Sequence, residues 1–314
     1  MSRQRMSPLA RNEERLGYLF ISPWILGLLI FTLFPLVATF LISFTDWDIY
    51  NPPKWVGLKN YFNLFTDKLF FQSLKVTLLY SLFSIPLTLA GGLILALLLN
   101  ANIRFIHLFR TIFYIPSVIT GVAVAMLWIW IFNAHYGLLN YFLSWFGIEG
   151  PKWLEDPKWI LPTYVLISLW KVGGNAVLFL GGLQNIPQHL YEAARMDGAN
   201  RWQIFWKITL PLLTPTLFFL LLMGIIDSFK IFTTAYMIND GGGGPDNAGL
   251  FYMLYLYQKA FVSLDMGYAS AMAWIGGGIS LILAIVVYRT QSKWVYYEAD
   301  VGKKGSDQHG DTRA

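Results

Sequence analysis

The sequence predicts an all-α membrane protein with six transmembrane helices and both termini on the cytoplasmic side. Three observations predict it. The chain is 56% hydrophobic and only 13% charged, a balance that a soluble domain does not carry. Six stretches meet the requirement for a span, about 20 mostly apolar residues. Arginine is confined to the tails and to alternate connections between those stretches, the asymmetry that orients membrane proteins.

A polar tail, 1–15, precedes the first apolar stretch at about 17–44. That stretch far exceeds a ~7–15-residue signal-peptide core and has no small-residue cleavage site after it, so it reads as an uncleaved signal anchor. The further spans fall at about 74–98, 111–132, 160–183, 212–232 and 268–288. Pro23, Pro35, Pro86 and Pro116 lie inside spans, with glycines at 91–92, 173–174 and 276–278. Such residues are common in membrane helices, and they also permit bending and close helix contact; both readings stand. The segment 249–262 is apolar but short and broken by Gln258 and Lys259. It is expected to be an interfacial or re-entrant helix on the outer side, because a seventh span would place the C-terminus outside.

The charges argue for six. All ten arginines fall in the N-tail (Arg3, Arg5, Arg11, Arg15), the second and fourth connections (Arg104, Arg110, Arg195, Arg201) and the C-tail (Arg289, Arg313). Lys207, Lys293, Lys303 and Lys304 join them, whereas the other connections hold lysines only. Both termini and the 184–211 connection are therefore expected in the cytoplasm. The spans and connections form one domain, 16–293, and a polar tail at 294–314 is expected to be disordered.

The connection 185–211 carries more local signals than a hairpin needs. Pro187 suits a first helical turn, and Gly198 suits the left-handed residue past a helix end. Asn200 with Gln203 offers a capping box for a second helix. Pro211 and Pro215 fall where that helix is expected to give way to the next span. The connection thus reads as helix, glycine turn, helix. Leu190, Ala193 and Ala194 share one face of the first helix, and Trp202, Phe205 and Trp206 one face of the second. A plain amphipathic helix anchored by its aromatics would show the same pattern.

Glu192-Ala193-Ala194, three residues, Gly198, nine residues, Ile208, one residue, Leu210-Pro211: this resembles the EAA loop of binding-protein-dependent ABC importer permeases. Ser228-Phe229, Phe232, Tyr236-Met237, the Gly-Gly-Gly-Pro run at 242–245 and Gly267-Tyr268-Ala269-Ser270-Ala271 follow in the order of the carbohydrate branch. Trp55-Val56-Gly57-Leu58-Lys59-Asn60-Tyr61 is a third match. From about residue 16 to 293 the chain is similar to the first-subunit permeases of maltose-type sugar importers, in the six-span form without an extra N-terminal span. The resemblance implies the type I importer permease fold and residence in the cytoplasmic membrane of a prokaryote. It implies a second, distinct permease subunit, a dimer of cytoplasmic ATP-binding subunits, an extracytoplasmic solute-binding protein and a sugar as cargo. It also implies that Glu192, Ala193, Ala194, Asp197, Gly198, Ile208, Leu210 and Pro211 form the element that docks in a groove of the ATPase, with Glu192 engaging a basic group there.

Ionisable groups within spans are costly and usually face a cavity or a partner. Lys171 lies near the middle of the fourth span and shares a helix face with Asn175. Asp227 lies about two-thirds of the way through the fifth, where it could simply pair with Lys230. Snorkelling would take Lys171 far from its depth. The functional alternative gathers Trp170, Lys171, Gly174, Asn175, Gly224, Asp227 and Ser228 around a polar solute path, amides and carboxylate at a sugar's edge and an indole beneath its ring. The resemblance places the sugar contacts in the helices flanking the EAA loop, here 168–175 and 224–233. A lysine there also suits an anionic solute, such as an acidic sugar or glycerol phosphate.

Several chemistries lack their residues. No phosphate-binding Gly-x-x-x-x-Gly-Lys-Ser/Thr loop is present, for Gly241–Gly244 runs into Pro245-Asp246. Energy from ATP must then come from a separate subunit. His107, His135, His189 and His309 stand at no metal-ligand spacing, and cysteine is absent, so no metal or other cofactor is expected. No Gly-x-Ser-x-Gly nucleophile elbow supports a membrane enzyme. The modest net charge of +5 reads as membrane orientation rather than nucleic-acid binding. The remaining competitor is a stand-alone secondary transporter that couples an ion through Asp227 and Lys171.

Overall fold

The computed structural model describes residues 8–101 and 104–296. The expectations for residues 1–7 and 297–314, including Arg3, Arg5, Lys303, Lys304, His309 and Arg313, lie outside the described residues.

The helices run in the order α1 (Pro8–Leu28), α2 (Phe34–Ile42), α3 (Lys59–Thr66), α4 (Lys68–Leu99), α5 (Ile106–Val118), α6 (Gly121–Ile131), α7 (Leu138–Ser144), α8 (Ile160–Ser168), α9 (Val172–Gln184), α10 (Gln188–Met196), α11 (Arg201–Ile204), α12 (Leu210–Ser228), α13 (Thr233–Ile238), α14 (Tyr252–Tyr257) and α15 (Met266–Trp294). A two-residue antiparallel ladder pairs β1 (Thr45–Asp46) with β2 (Lys54–Trp55). Among the described residues five helical runs are long and apolar enough to cross a membrane: Arg15–Ile42, Lys68–Leu99, Ile160–Gln184, Arg201–Ser228 and Met266–Trp294. A sixth is supplied if the bent pair α5–α6 counts as one span. Large apolar side chains such as Phe20, Trp24 and Phe31 stand exposed along them, as lipid-facing positions require.

The chain divides into two compact units. One comprises residues up to Thr66 with Lys259–Ile275. Its organiser is the Trp55–Tyr61 motif. Trp55 stacks on Phe44 with ring centroids 5.5 Å apart. The buried Asn60 amide donates to the carbonyls of Ser43 (3.0 Å) and Thr45 (2.8 Å), tying α3 to the chain that leaves α2. Asp48 accepts from the backbone N–H and the side-chain amide of Asn51, and these bonds hold its carboxyl below the ordinary range.

The other unit holds Asp67–Gln258 and the chain from Gly276. Asp67 caps α4 by accepting from the N–H groups of Leu69 (2.8 Å) and Phe70 (3.4 Å). It also accepts from the Tyr255 hydroxyl. The helix begins six residues before the expected start because this cap lies upstream of the apolar run. α4 packs against α8, α9, α12 and α14. The core joins Ala96, Ala176, Phe179, Leu183, Leu213 and Leu220.

Three expectations are corrected. The third span is not one helix. α5 and α6 meet at 96°, because Ile119 and Thr120 are extended just after Pro116, in a β-branched run that disfavours helix. The fifth span does not begin afresh at Pro211. α11 continues into α12 through a π turn at Phe205–Thr209, where the Leu210 N–H donates five residues back to Phe205. The wider turn leaves room for the Pro211 ring. Pro215 deprives the Pro211 carbonyl of a backbone donor, and the Thr214 hydroxyl takes it at 2.6 Å. Ser22 does the same at 2.8 Å for the Leu19 carbonyl that Pro23 leaves, so both prolines sit inside continuous helix. Finally, the fifth helix stops at Ser228, which moves Asp227 from two-thirds depth to its last turn.

The segment 249–262 forms α14 and a π turn at Gln258–Val262, too short to cross. Tyr252, Leu254 and Tyr255 are buried and α14 packs on α4, so it is seated on protein.

Candidate functional site

Two places gather the candidate residues. The first is the connection between α9 and α12. Pro187 is the N-cap of α10, one position before the expected first turn, with extended ψ. Past the helix end Gly198 adopts φ +77°. The Ala199 N–H then reaches the Ala194 carbonyl (2.9 Å) and the Gly198 N–H the Arg195 carbonyl (3.1 Å), the two bonds of a Schellman turn. Asn200 and Gln203 close a reciprocal capping box, 2.8 and 2.9 Å. With turn and cap both satisfied, the connection is a folded helix–turn–helix rather than a loop without internal bonds.

Leu190 and Tyr191 turn inward and pack on the core cluster, and the Tyr191 hydroxyl lies 3.3 Å from Thr209 Oγ. Glu192 and Ala193 stay exposed, and Met196 is 89% exposed. Between α10 and α11 a 410 Å³ cup is lined by Ala194, Asp197, Gly198, Gln203, Lys207 and Ile208 among others. Four sequence-predicted residues thus share the cup, Glu192 and Ala193 flank it, and Leu210 and Pro211 stand apart, opening α12. Trp202 and Trp206 are exposed beside it.

The second place is a 510 Å³ cavity among α4, α8, α9, α12 and α13. Trp170, Lys171, Asn175, Gly224, Asp227 and Ser228 all line it. Gly174 does not, and approaches Ser117 instead. The helix tightens to a 3-10 turn at Leu169–Lys171, which re-aims these side chains relative to a regular α-helix. Gly173 makes the packing behind them possible: a Cβ there would stand 1.8 Å from the Phe113 carbonyl oxygen. The Asn175 amide donates to the Thr88 carbonyl at 3.4 Å. Asp227 and Lys230 lie 4.0 Å apart, each about two-thirds exposed. Ser228 is buried, its hydroxyl donating to the Ile225 carbonyl of its own helix.

Sequence reasoning missed the wall supplied by α4. Tyr80, Ser84 and Thr88 line the cavity at a spacing of four, a polar stripe on an apolar helix. That stripe was a legible signal, but it carries neither charge nor motif. Among the described residues no group of histidine and acidic side chains could hold a metal ion.

Residues 88–293 match the family model described as "binding-protein-dependent transport system inner membrane component". A probable ABC transporter permease protein of Bacillus subtilis, YesP, is 46% identical over 292 residues, covering 92% of this chain and 94% of that protein. The trehalose/maltose transport system permease protein MalF of Thermococcus litoralis is 34% identical, covering 91% and 95%. Among solved structures, a bacterial ABC transporter involved in the import of the acidic polysaccharide alginate superposes with a TM-score of 0.80. It is 26% identical, covering 91% of this chain and 99% of that one.

Proposed function

Because the chain belongs to the family of binding-protein-dependent transport system inner membrane components, we propose that it is the permease subunit through which an ABC importer passes a sugar or oligosaccharide. The 510 Å³ cavity is the observation that carries the cargo class. Its size falls in the ~300–1,000 Å³ range of small-molecule sites. It offers Trp170 as a plane for a sugar ring, with amide, hydroxyl and charged groups for hydroxyls at the edge. Relatives are named for trehalose/maltose, lactose, arabinooligosaccharides and sulfoquinovosyl glycerol, which supports carbohydrate without fixing its charge.

The connection around Glu192 is where a separate ATPase acts. Its Schellman turn and capping box keep it stiff, and the exposed Glu192–Ala193 flank and the adjoining cup are the docking surface. α11 and α12 are one helical run from Arg201 to Ser228, about 40 Å long at 1.5 Å per residue. Its near end borders the docking cup and its far end lines the cavity. A push on the connection therefore reaches Gly224, Asp227 and Ser228 as motion of a rigid rod, and the cavity is turned across the membrane. A distinct second permease completes the path, a dimer of ATPases drives it, and a solute-binding protein delivers the cargo. Both termini and this connection face the cytoplasm, as the arginine distribution requires.

The test is uptake into vesicles holding the chain with its partner subunits. ATP-dependent sugar uptake is expected, with Glu192→Lys abolishing ATPase docking while the chain still inserts. Uptake driven by an ion gradient with no ATPase present would refute the reading in favour of a secondary transporter.

A further inference from the structure

We propose that the cavity selects an anionic carbohydrate, a uronic or similarly acidic sugar, through the ammonium group of Lys171; this rests on the carbohydrate reading above. Among the described residues three charged side chains line the cavity: Lys171, Asp227 and Lys230. Asp227 and Lys230 are partners at 4.0 Å. Lys171 has no acidic side chain within ion-pairing distance among the described residues. The lining therefore carries one uncompensated positive charge.

The position of that charge makes it informative. Lys171 is the twelfth residue of the 25-residue run Ile160–Gln184, so about 18 Å of helix separates it from either end. A lysine side chain does not snorkel that far. A cation held at such depth is costly unless a cavity or a counter-charge receives it. The cavity supplies water, and an anionic cargo supplies the counter-charge during passage.

Trp170 lines the cavity beside Lys171, and Trp128 meets its ring edge to face at 5.6 Å from outside the lining. Among the described residues the Lys171 ammonium is the charged donor of the lining that no acid faces. A carboxylate or sulfonate is the acceptor-only group that satisfies it. Asp227, across the same cavity, is left to accept from sugar hydroxyls.

The test compares an isosteric pair: a uronic acid–hexose disaccharide and the neutral disaccharide of the same linkage, differing only by carboxylate in place of hydroxymethyl. Uptake kcat/KM is measured with the complete importer in vesicles, for wild type, Lys171→Gln and Lys171→Arg, always with the same binding protein. Lys171→Gln is expected to lower the acidic-to-neutral ratio by about tenfold, the factor that 1.4 kcal/mol supplies, and Lys171→Arg to keep the wild-type ratio. Because the binding protein is constant, a change of ratio belongs to the permease. A ratio unmoved or raised in Lys171→Gln overturns the proposal and leaves the carbohydrate reading intact. If neither these nor any other sugar is taken up while the ATPase is coupled, the carbohydrate reading fails and this proposal with it.

Discussion

Gly173→Ala should loosen the wall that carries the cavity's polar groups. The new Cβ would stand 1.8 Å from the Phe113 carbonyl oxygen and 2.8 Å from its carbon, where ordinary contact begins at 3.4 Å. The obstacle is backbone, which cannot rotate aside as a side chain can, so α9 and α5 must part by roughly 1.6 Å. Overpacking of this kind costs about 1–3 kcal/mol. Two glycines of the same helix act as controls. A Cβ on Gly181 meets nothing within 4 Å, and one on Gly174 meets only Ser117 at 3.6 Å. Gly181→Ala then gains helix propensity, up to about 1 kcal/mol. The assay is the thermal midpoint of the purified chain, read by intrinsic fluorescence. Gly173→Ala should melt about 2–12 °C lower, at roughly 2–4 °C per kcal/mol, while Gly181→Ala melts at or above wild type. Equal midpoints for the two variants would refute the close contact of α9 with Phe113, and with it the placement of Lys171 and Asn175.

Asp67→Ala should lower the same midpoint by several degrees, because the α4 cap is worth about 1–2 kcal/mol and the Tyr255 hydroxyl loses its acceptor as well; Asp67→Asn should recover most of it, and an unchanged midpoint in Asp67→Ala would deny the cap. Asp227→Asn should shift the midpoint by less than about 4 °C, since a pair at 4.0 Å with both members two-thirds exposed is worth under about 1 kcal/mol; a larger drop would place that carboxylate in a structural rather than a solute-facing role. The Asp48 turn should open only in acid. Its carboxyl is depressed in the folded state, so the turn's stability is present above the unfolded value of about 3.9 and is lost as pH falls through the lower folded one. A nitroxide on Tyr50→Cys, unambiguous because the chain has no cysteine, should keep its line shape from pH 8 to 5 and sharpen only below about pH 4; a transition centred near pH 6 would assign the change to another group.

The candidate site was legible in parts, for separate physical reasons. Gly198, Asn200 and Gln203 act through local backbone geometry, so spacing alone located the turn and the cap. Lys171 and Asn175 were legible because an ionisable group in an apolar run is costly wherever the run folds. Tyr80, Ser84 and Thr88 were not found, because a neutral polar stripe becomes a wall only once another helix leaves a gap beside it. The expected break at Pro211 failed for a related reason. Proline removes a donor, but whether a π turn or a neighbouring threonine hydroxyl makes good the loss depends on how the backbone relaxes around it.

By itself the sequence determined that this chain crosses a membrane, where its connections lie and which connection folds as helix, glycine turn, helix. Those follow from apolar length, charge count and capping residues, all properties of short stretches. Only the tertiary structure decided that α5 and α6 break at nearly a right angle, that the second half of the 185–211 connection and the fifth span are one helical run, and that Lys171 stands in a cavity with no acid at ion-pairing distance among the described residues. The first two turn on how the backbone relaxes around Pro116 and Pro211, and the third on which surfaces meet across long separations in the chain: Gly173 on Phe113, Asn175 on Thr88. Packing chooses those meetings, and no local pattern encodes them.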